Sequence, residues 1–262
     1  MDRTAISRVV ILVGLLLSSG LFAQPRLQLE KPYGYQVGDK IDADLTLLDK
    51  DLQPHSLLSL IEPQTKILVL VGFGGADARE PQSESGNPLW CKDSFDDLPL
   101  QRDLVAAFRQ APVQFIGVAV PPVYNPGLYG YSEDAFLGFP ETSPEFLENA
   151  KRFIALTEEQ VSRRLIPFPQ VFYDLKFRLA DRPPADPGPG YGKVYRWQGK
   201  LRWHLDPRKY GLPIIWLIGP EGEILQPPFF SNDYDSDPPS IMYQFSDVKT
   251  AIEKHLAHLS EK

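Results

Sequence analysis

The residue with most chemistry to offer is Cys91, the single cysteine of the chain. It stands in Trp90-Cys91-Lys92-Asp93-Ser94-Phe95-Asp96-Asp97-Leu98-Pro99. A thiol at a helix N-terminus sits beside unpaired N–H groups and the positive end of the dipole, which lower its pKa. More thiolate means a better nucleophile for disulfide exchange and for oxidation to a sulfenic acid. Lys92 favours the charged form, whereas Asp93 and Asp96 disfavour it, so the sign of the net shift stays open. Ser94 could donate a hydrogen bond to the sulfur, but it cannot resolve a mixed disulfide. The bland alternative is that Cys91 is a small buried apolar residue. One cysteine forbids an intramolecular disulfide, a dithiol pair and a cysteine-based zinc site.

Other chemistry-bearing residues carry less. The acids of Asn232-Asp233-Tyr234-Asp235-Ser236-Asp237 could ring a calcium ion, but the turn glycine and closing glutamate of a helix-loop-helix site are absent, so a solvated loop is expected. His55, His204, His255 and His258 are scattered, and no metal site is expected from them. Val194-Tyr195-Arg196-Trp197-Gln198-Gly199-Lys200-Leu201-Arg202-Trp203 reads as a hairpin turning at Gln198-Gly199. Its aromatics and arginines could form a platform for a peptide or sugar, with packing over a loop as the commoner use. No nucleophile elbow, phosphate loop or dinucleotide fingerprint occurs. No cofactor is implied.

These residues need a scaffold, and 262 residues at 43% hydrophobic supply one. Lys plus Arg number 27 against 34 for Asp plus Glu, a formal charge of −7, which argues against a nucleic-acid partner. Proline outnumbers glycine, 26 to 19, which implies long stiff loops. Residues 1–23 read as a secretory signal peptide: Arg3 and Arg8, an apolar run from Val9 to Leu17, then small Ala23 before Gln24-Pro25. The expectation is an exported protein, periplasmic or secreted, with no membrane span after cleavage and a linker over 24–34.

Elements follow from periodicity. Asp42 to Leu48 reads as a short strand, and Lys66 to Phe73 and Val113 to Val120 as strands covered on both faces. Phe95, Leu98, Leu104, Val105 and Phe108 recur at helical spacing between them. Ser143-Pro144-Glu145 starts a second helix, with Ser as cap and Pro at the first position. Its apolar stripe includes Phe146, Ala150, Phe153, Ile154 and Val161. Gln170 to Tyr173 and Ile214 to Ile218 are strands, and Pro220-Glu221-Gly222-Glu223 turns into Ile224-Leu225. Phe245-Ser246-Asp247 opens a last helix with Val248, Ile252, Leu256 and Leu259 inward. Two apolar strands joined by a helix argue for a parallel central pair with an antiparallel hairpin at the edge.

In that order, the motifs resemble exported thioredoxin-like thiol-disulfide oxidoreductases. Trp90-Cys91 with Asp97 and Pro99 resembles the Trp-Cys-x-x-Cys turn and helix of that family, with Ser94 in the second cysteine's place. Val37-Gly38-Asp39 with Leu45-Thr46-Leu47 looks like its N-terminal extension. Ile166-Pro167-Phe168-Pro169 with Asp174 resembles the approach to its third strand. Tyr210-Gly211-Leu212-Pro213, Ile214 to Ile218 and Pro220-Glu221-Gly222 resemble its cis-proline segment and closing hairpin. The matches cover most of residues 35 to 259. The resemblance implies an α/β, thioredoxin-like three-layer sandwich, a mixed central sheet flanked by helices. It would occupy 35–262, with insertions near 74–89, 121–143 and 176–208. It further implies Cys91, Ser94 and Pro213 as the reacting set, supported by Trp90, Asp97 and Leu212.

The departures bear on function. Ser94 makes a dithiol cycle within one chain impossible, and about a dozen residues beyond the family's usual few separate the strand from Cys91. A register that keeps the short loop would place Ala78 at the first cysteine. The peroxiredoxin signature Pro-x-x-x-Thr-x-x-Cys is absent, since Glu84 and Pro88 occupy its landmarks. Iodothyronine deiodinases are distantly similar, without local support for dehalogenation. Two functions remain: a monothiol redox or thiol-adduct centre at Cys91, or a catalytically silent fold that binds a protein or ligand. A thiol, an extended peptide, or a second copy linked through Cys91 are the partners this leaves open.

Overall fold

The computed structural model describes residues 35–76, 87–121, 144–175, 178–181, 193–196, 212–230 and 243–260. The expected signal peptide, the 232–237 acidic loop, the Gln198-Gly199 turn, Ala78, Ser143 and His204 lie outside them. The two apolar runs become β3 (Ile67–Gly74) and β4 (Val113–Val120). They pair in parallel from Ile67 opposite Val113 to Gly74 opposite Val120, joined by α1 (Lys92–Ala107). Every β3 side chain is buried, as expected of a strand covered on both faces.

A second crossover carries the chain through α2 (Pro144–Ser162) to β5 (Gln170–Tyr173), parallel to β4. On the other side β8 (Ile214–Ile218) runs antiparallel to β3. With β1 (Thr46–Leu48), β2 (Pro54–Ser56) and β9 (Phe229–Phe230), the sheet has seven strands in the order β2-β1-β5-β4-β3-β8-β9. The last helix, α3 (Phe245–Ser260), packs against α1 and β3. This mixed sheet with helices is the expected thioredoxin-like α/β architecture.

Alternation along the strands divides the core in two. Val69, Val71, Phe73, Phe115 and Leu217 face the helices, meeting Leu98 and Leu104 of α1, Phe153 of α2 and Val248 and Ile252 of α3. Leu68, Leu70, Ile116, Val118 and Trp216 face the other way, under Tyr35, Ile41, Leu45 and Leu57. Leu57 belongs to a short 3-10 helix, Leu57–Leu60. Each such fully buried aliphatic or aromatic side chain contributes about 1.5–3 kcal/mol.

Three local expectations change. The edge hairpin after β8 is broken: Ile224 makes a single bridge to Ile218, and regular pairing resumes only at Phe229 and Phe230, opposite Ile215 and Ile214. Pro227 and Pro228 separate the two stretches, and proline has no N–H for the ladder. Strand β2 has no apolar alternation of its own and forms because the Asp49–Gln53 turn folds it back onto β1. Asp49 Oδ1 accepts from the N–H of Asp51 and of Gln53, which fixes that turn. Finally, β7 (Lys193–Arg196) pairs with β6 (Arg178–Asp181) in a separate two-stranded sheet, a pairing not expected from the sequence; the partner expected across Gln198-Gly199 lies outside the described residues.

Candidate functional site

Strand β3 ends in Gly74-Gly75, and this pair is why Cys91 can reach the sheet's carboxyl edge. A Cβ on Gly74 would lie 2.4 Å from the Cβ of Cys91 and 3.0 Å from the Trp90 ring. A Cβ on Gly75 would strike Phe153 at 2.5 Å, on the helix-covered side. Two bare backbones thus admit the site on one face and the α2 core on the other.

The chain then leaves the sheet and returns. Ala76 pairs with Leu89 across the connection, the Trp90 N–H donates to Gly75 O at 3.0 Å, and Thr157 Oγ1 accepts from the Ala76 N–H at 3.1 Å. Trp90 Nε1 donates to Val120 O at 2.9 Å, which pins the indole over the ends of β3 and β4. Cys91 is thereby delivered as the residue that caps α1, with extended backbone, and its carbonyl accepts the first helical hydrogen bond, from Phe95 N–H. Its side chain makes no capping bond to the helix.

Leu212 and Pro213 come from the start of β8, both are buried, and the peptide between them is cis. Cys91 Sγ donates to Leu212 O at 3.6 Å. Such a contact needs the proton on sulfur, since a carbonyl oxygen offers a thiolate only repulsion. Ser94 lies beneath, 1% exposed, its Oγ accepting from the Gly74 N–H at 3.0 Å. Trp90, Cys91, Ser94, Leu212 and Pro213 therefore do converge, at the carboxyl end of β3.

The electrostatics resolve the sign left open by the sequence. Cys91 keeps partial solvent access, yet packing around its sulfur pushes the thiol up to about 11. Desolvation is the main cause; the Ser94 hydroxyl and the N–H groups of Ser94 and Asp93 pull the other way, and the Asp93 charge adds to the rise. Lys92 is engaged by Asp96 one turn on and points its charge there. The helix N-terminus is real, but burial outweighs it.

Asp97 also lies where the motif places it, one turn below Ser94, and is 2% exposed. Its Oδ2 accepts from Gln101 Nε2 at 2.5 Å and from Tyr243 Oη at 2.7 Å, which ties α1 to the start of α3. Burial pushes the Asp97 carboxyl up to about 6, against the pull of those two donors. Its Oδ1 and Gln101 Oε1 have no partner among the described residues. The same buried setting holds the Tyr243 phenol well above its usual range.

Gly74, Gln101, Tyr243 and Thr157 are the residues that sequence reasoning missed. Asp97 and Gln101 stand at i, i+4, a spacing that could have paired them; nothing in the sequence points from Asp97 to Tyr243. The remaining candidates lie elsewhere. His55 Nε2 meets Asp49 Oδ2 at 2.9 Å, and His255 meets Gln226 at 3.2 Å. Among the described residues no cluster of three His, Cys, Asp or Glu could hold a metal, and no helix is long and apolar enough to cross a membrane.

No family model matches the sequence, nor does any curated protein. Solved structures resemble the fold at low identity. A thiol:disulfide interchange protein of the thioredoxin family from Chlorobium tepidum is 12% identical, with 85% of this chain and 99% of that chain covered and a TM-score of 0.40. Peroxidoxin BcpB from Mycobacterium tuberculosis is 15% identical over 86% and 97%, at 0.39. A secreted disulfide oxidoreductase of Mycobacterium tuberculosis is 13% identical over 81% and 96%, at 0.37. Likeness at this level says nothing of the chemistry, for which the site's own geometry has to serve.

Proposed function

We propose that the protein is an exported, thioredoxin-like monothiol protein whose Cys91 forms long-lived mixed disulfides rather than turning over a substrate. The observation that carries this is the Cys91 sulfur, packed 3.6 Å from the carbonyl of the Leu212–Pro213 peptide in a residue that keeps partial solvent exposure. In the reaction the Cys91 thiol gives up its proton, and its sulfur attacks one sulfur of a small disulfide R–S–S–R. The old S–S bond breaks, a Cys91–S–S–R bond forms, and the other half leaves as the thiol RSH with the proton. Cys91 is oxidised and the disulfide reduced.

A pKa near 11 shapes the rates. A thiol pushed from 9.0 up to about 11 has about a hundredfold less thiolate at neutral pH. Each thiolate is more nucleophilic by roughly tenfold, which leaves attack about tenfold slower overall. Release suffers as well, because a high-pKa thiolate is a poor leaving group. With Ser94 in place of a resolving thiol, the adduct forms slowly and stays. The export assigned to residues 1–23 belongs to the same proposal, since an oxidising compartment supplies disulfides.

Intact-mass measurement after incubation with oxidised glutathione tests this. The expected result is one glutathione added to the folded protein, absent in Cys91→Ser, and lost more slowly in dilute thiol than from an unfolded control. No adduct on the folded chain at any pH would overturn the proposal. The raised thiol also favours a second reading, a silent fold that binds a partner, in which Cys91→Ser leaves the biological phenotype intact.

A further inference from the structure

At the pole of the sheet opposite Cys91, a cleft of about 620 Å³ opens between the last turns of α1 and the segment leading into β5. The cleft begins at Arg102, eleven residues along α1 from Cys91, so about 16 Å or more of helix separates it from the thiol. Its apolar lining includes Val105, Ala111 and Val113 together with the stiff Pro167 and Pro169, with the buried Phe108 and Phe115 behind. Proline fixes its own backbone angle, so little order has to be imposed when something binds there.

The floor is built and already satisfied. Gln114, 8% exposed, accepts through Oε1 from the Glu62 N–H and Thr65 Oγ1, and donates through Nε2 to Leu60 O and Gln170 Oε1. Glu62 also lines the cleft, and both its carboxylate oxygens accept amide donors, from Gln64 and Gln170. The charged groups left over are the donors Arg102 and Arg109. Arg102, on α1, and Arg109, just past the Phe108 cap of that helix, line the mouth. Neither forms an ion pair among the described residues. Two guanidinium groups face one carboxylate, an excess of positive charge on a chain whose net charge is −7.

We infer that this cleft is a binding site for a small organic anion, a molecule with a flat apolar body and a carboxylate or sulfonate group. The apolar body lies against Val105, Val113 and the two prolines, and the anion meets the guanidinium groups, whose planar fork matches two oxygens at once. The volume falls within the roughly 300–1,000 Å³ of small-molecule sites. The site is independent of Cys91 and of the reading given for it.

Fluorescence titration of the full chain with anilinonaphthalenesulfonate provides the test. Wild-type protein is expected to bind the dye saturably at one site. The double variant R102E/R109E should bind about tenfold more weakly or less, because charge-assisted contacts are reversed. Ala106→Trp, an exposed cleft residue, keeps both arginines but fills the space, and should abolish binding. Thermal melting of both variants verifies that they fold. Dye binding that is unsaturable, or unchanged in either folded variant, would overturn the inference. Alkylation of Cys91 should be the same in all three proteins.

Discussion

Cys91 and Leu212, 121 residues apart, meet through a thiol proton: the sulfur donates to the Leu212 carbonyl oxygen at 3.6 Å. One partner caps a helix and the other precedes a strand, so the contact exists only when α1 and β8 both sit against β3. It binds the sulfur in its neutral form. A helix N-terminus alone argues for an activated thiol, whereas burial and this carbonyl argue for a guarded one, and burial wins.

Ser94→Cys should turn a guarded monothiol into a dithiol. Position 94 is three residues along α1 from Cys91 and buried beside Gly74, so a thiol there lies on the same helix face. Oxidation of the variant is expected to remove two hydrogens by mass, and the variant should reduce insulin where the wild type does not. Two free thiols persisting under oxidant would contradict the placement of the pair.

Asp97→Asn should stabilise the fold at neutral pH. The carboxyl titrates near 6 when folded and near 3.9 when unfolded, so its raised folded pKa leaves a cost that is absent in acid. That cost grows as pH rises from about 4 to about 6 and amounts to about 2–3 kcal/mol above it. Denaturant melts at pH 4 and pH 8 should show the variant gaining only at the higher value. An equal effect at both pH values would mean that Asp97 titrates normally.

How much of this was legible depends on where the information resides. Strands β3, β4, β5 and β8 and the three α-helices among the described residues declare themselves, because their burial is written as runs or stripes of apolar residues. Strands β2 and β9 do not, being two or three residues long and held by a turn or a neighbour. The Cys91, Ser94, Asp97 and Pro213 set was legible as motif. The state of its thiol was not, because desolvation is a property of packing around the sulfur, and none of that packing is local. The Asp97–Tyr243 bond is the same case: it spans 146 residues and has no signature in either segment.

Gly74→Ala should displace the site without touching its chemistry. The new methyl would lie 2.4 Å from the Cys91 Cβ, so the chain at Trp90-Cys91 must shift. Overpacking of this kind costs about 1–3 kcal/mol. Loss of stability together with faster Cys91 alkylation is expected, as the sulfur leaves its packed position. Unchanged melting would show that β3 and Cys91 are less tightly apposed than described.

The guarded thiol is the centre of the account, and the pH dependence of Cys91 alkylation in the folded protein measures it most directly. With iodoacetamide the rate should climb steadily through neutrality and turn over only near pH 11, while the unfolded chain turns over near 9. A folded-state inflection at or below that of the unfolded chain would contradict the account.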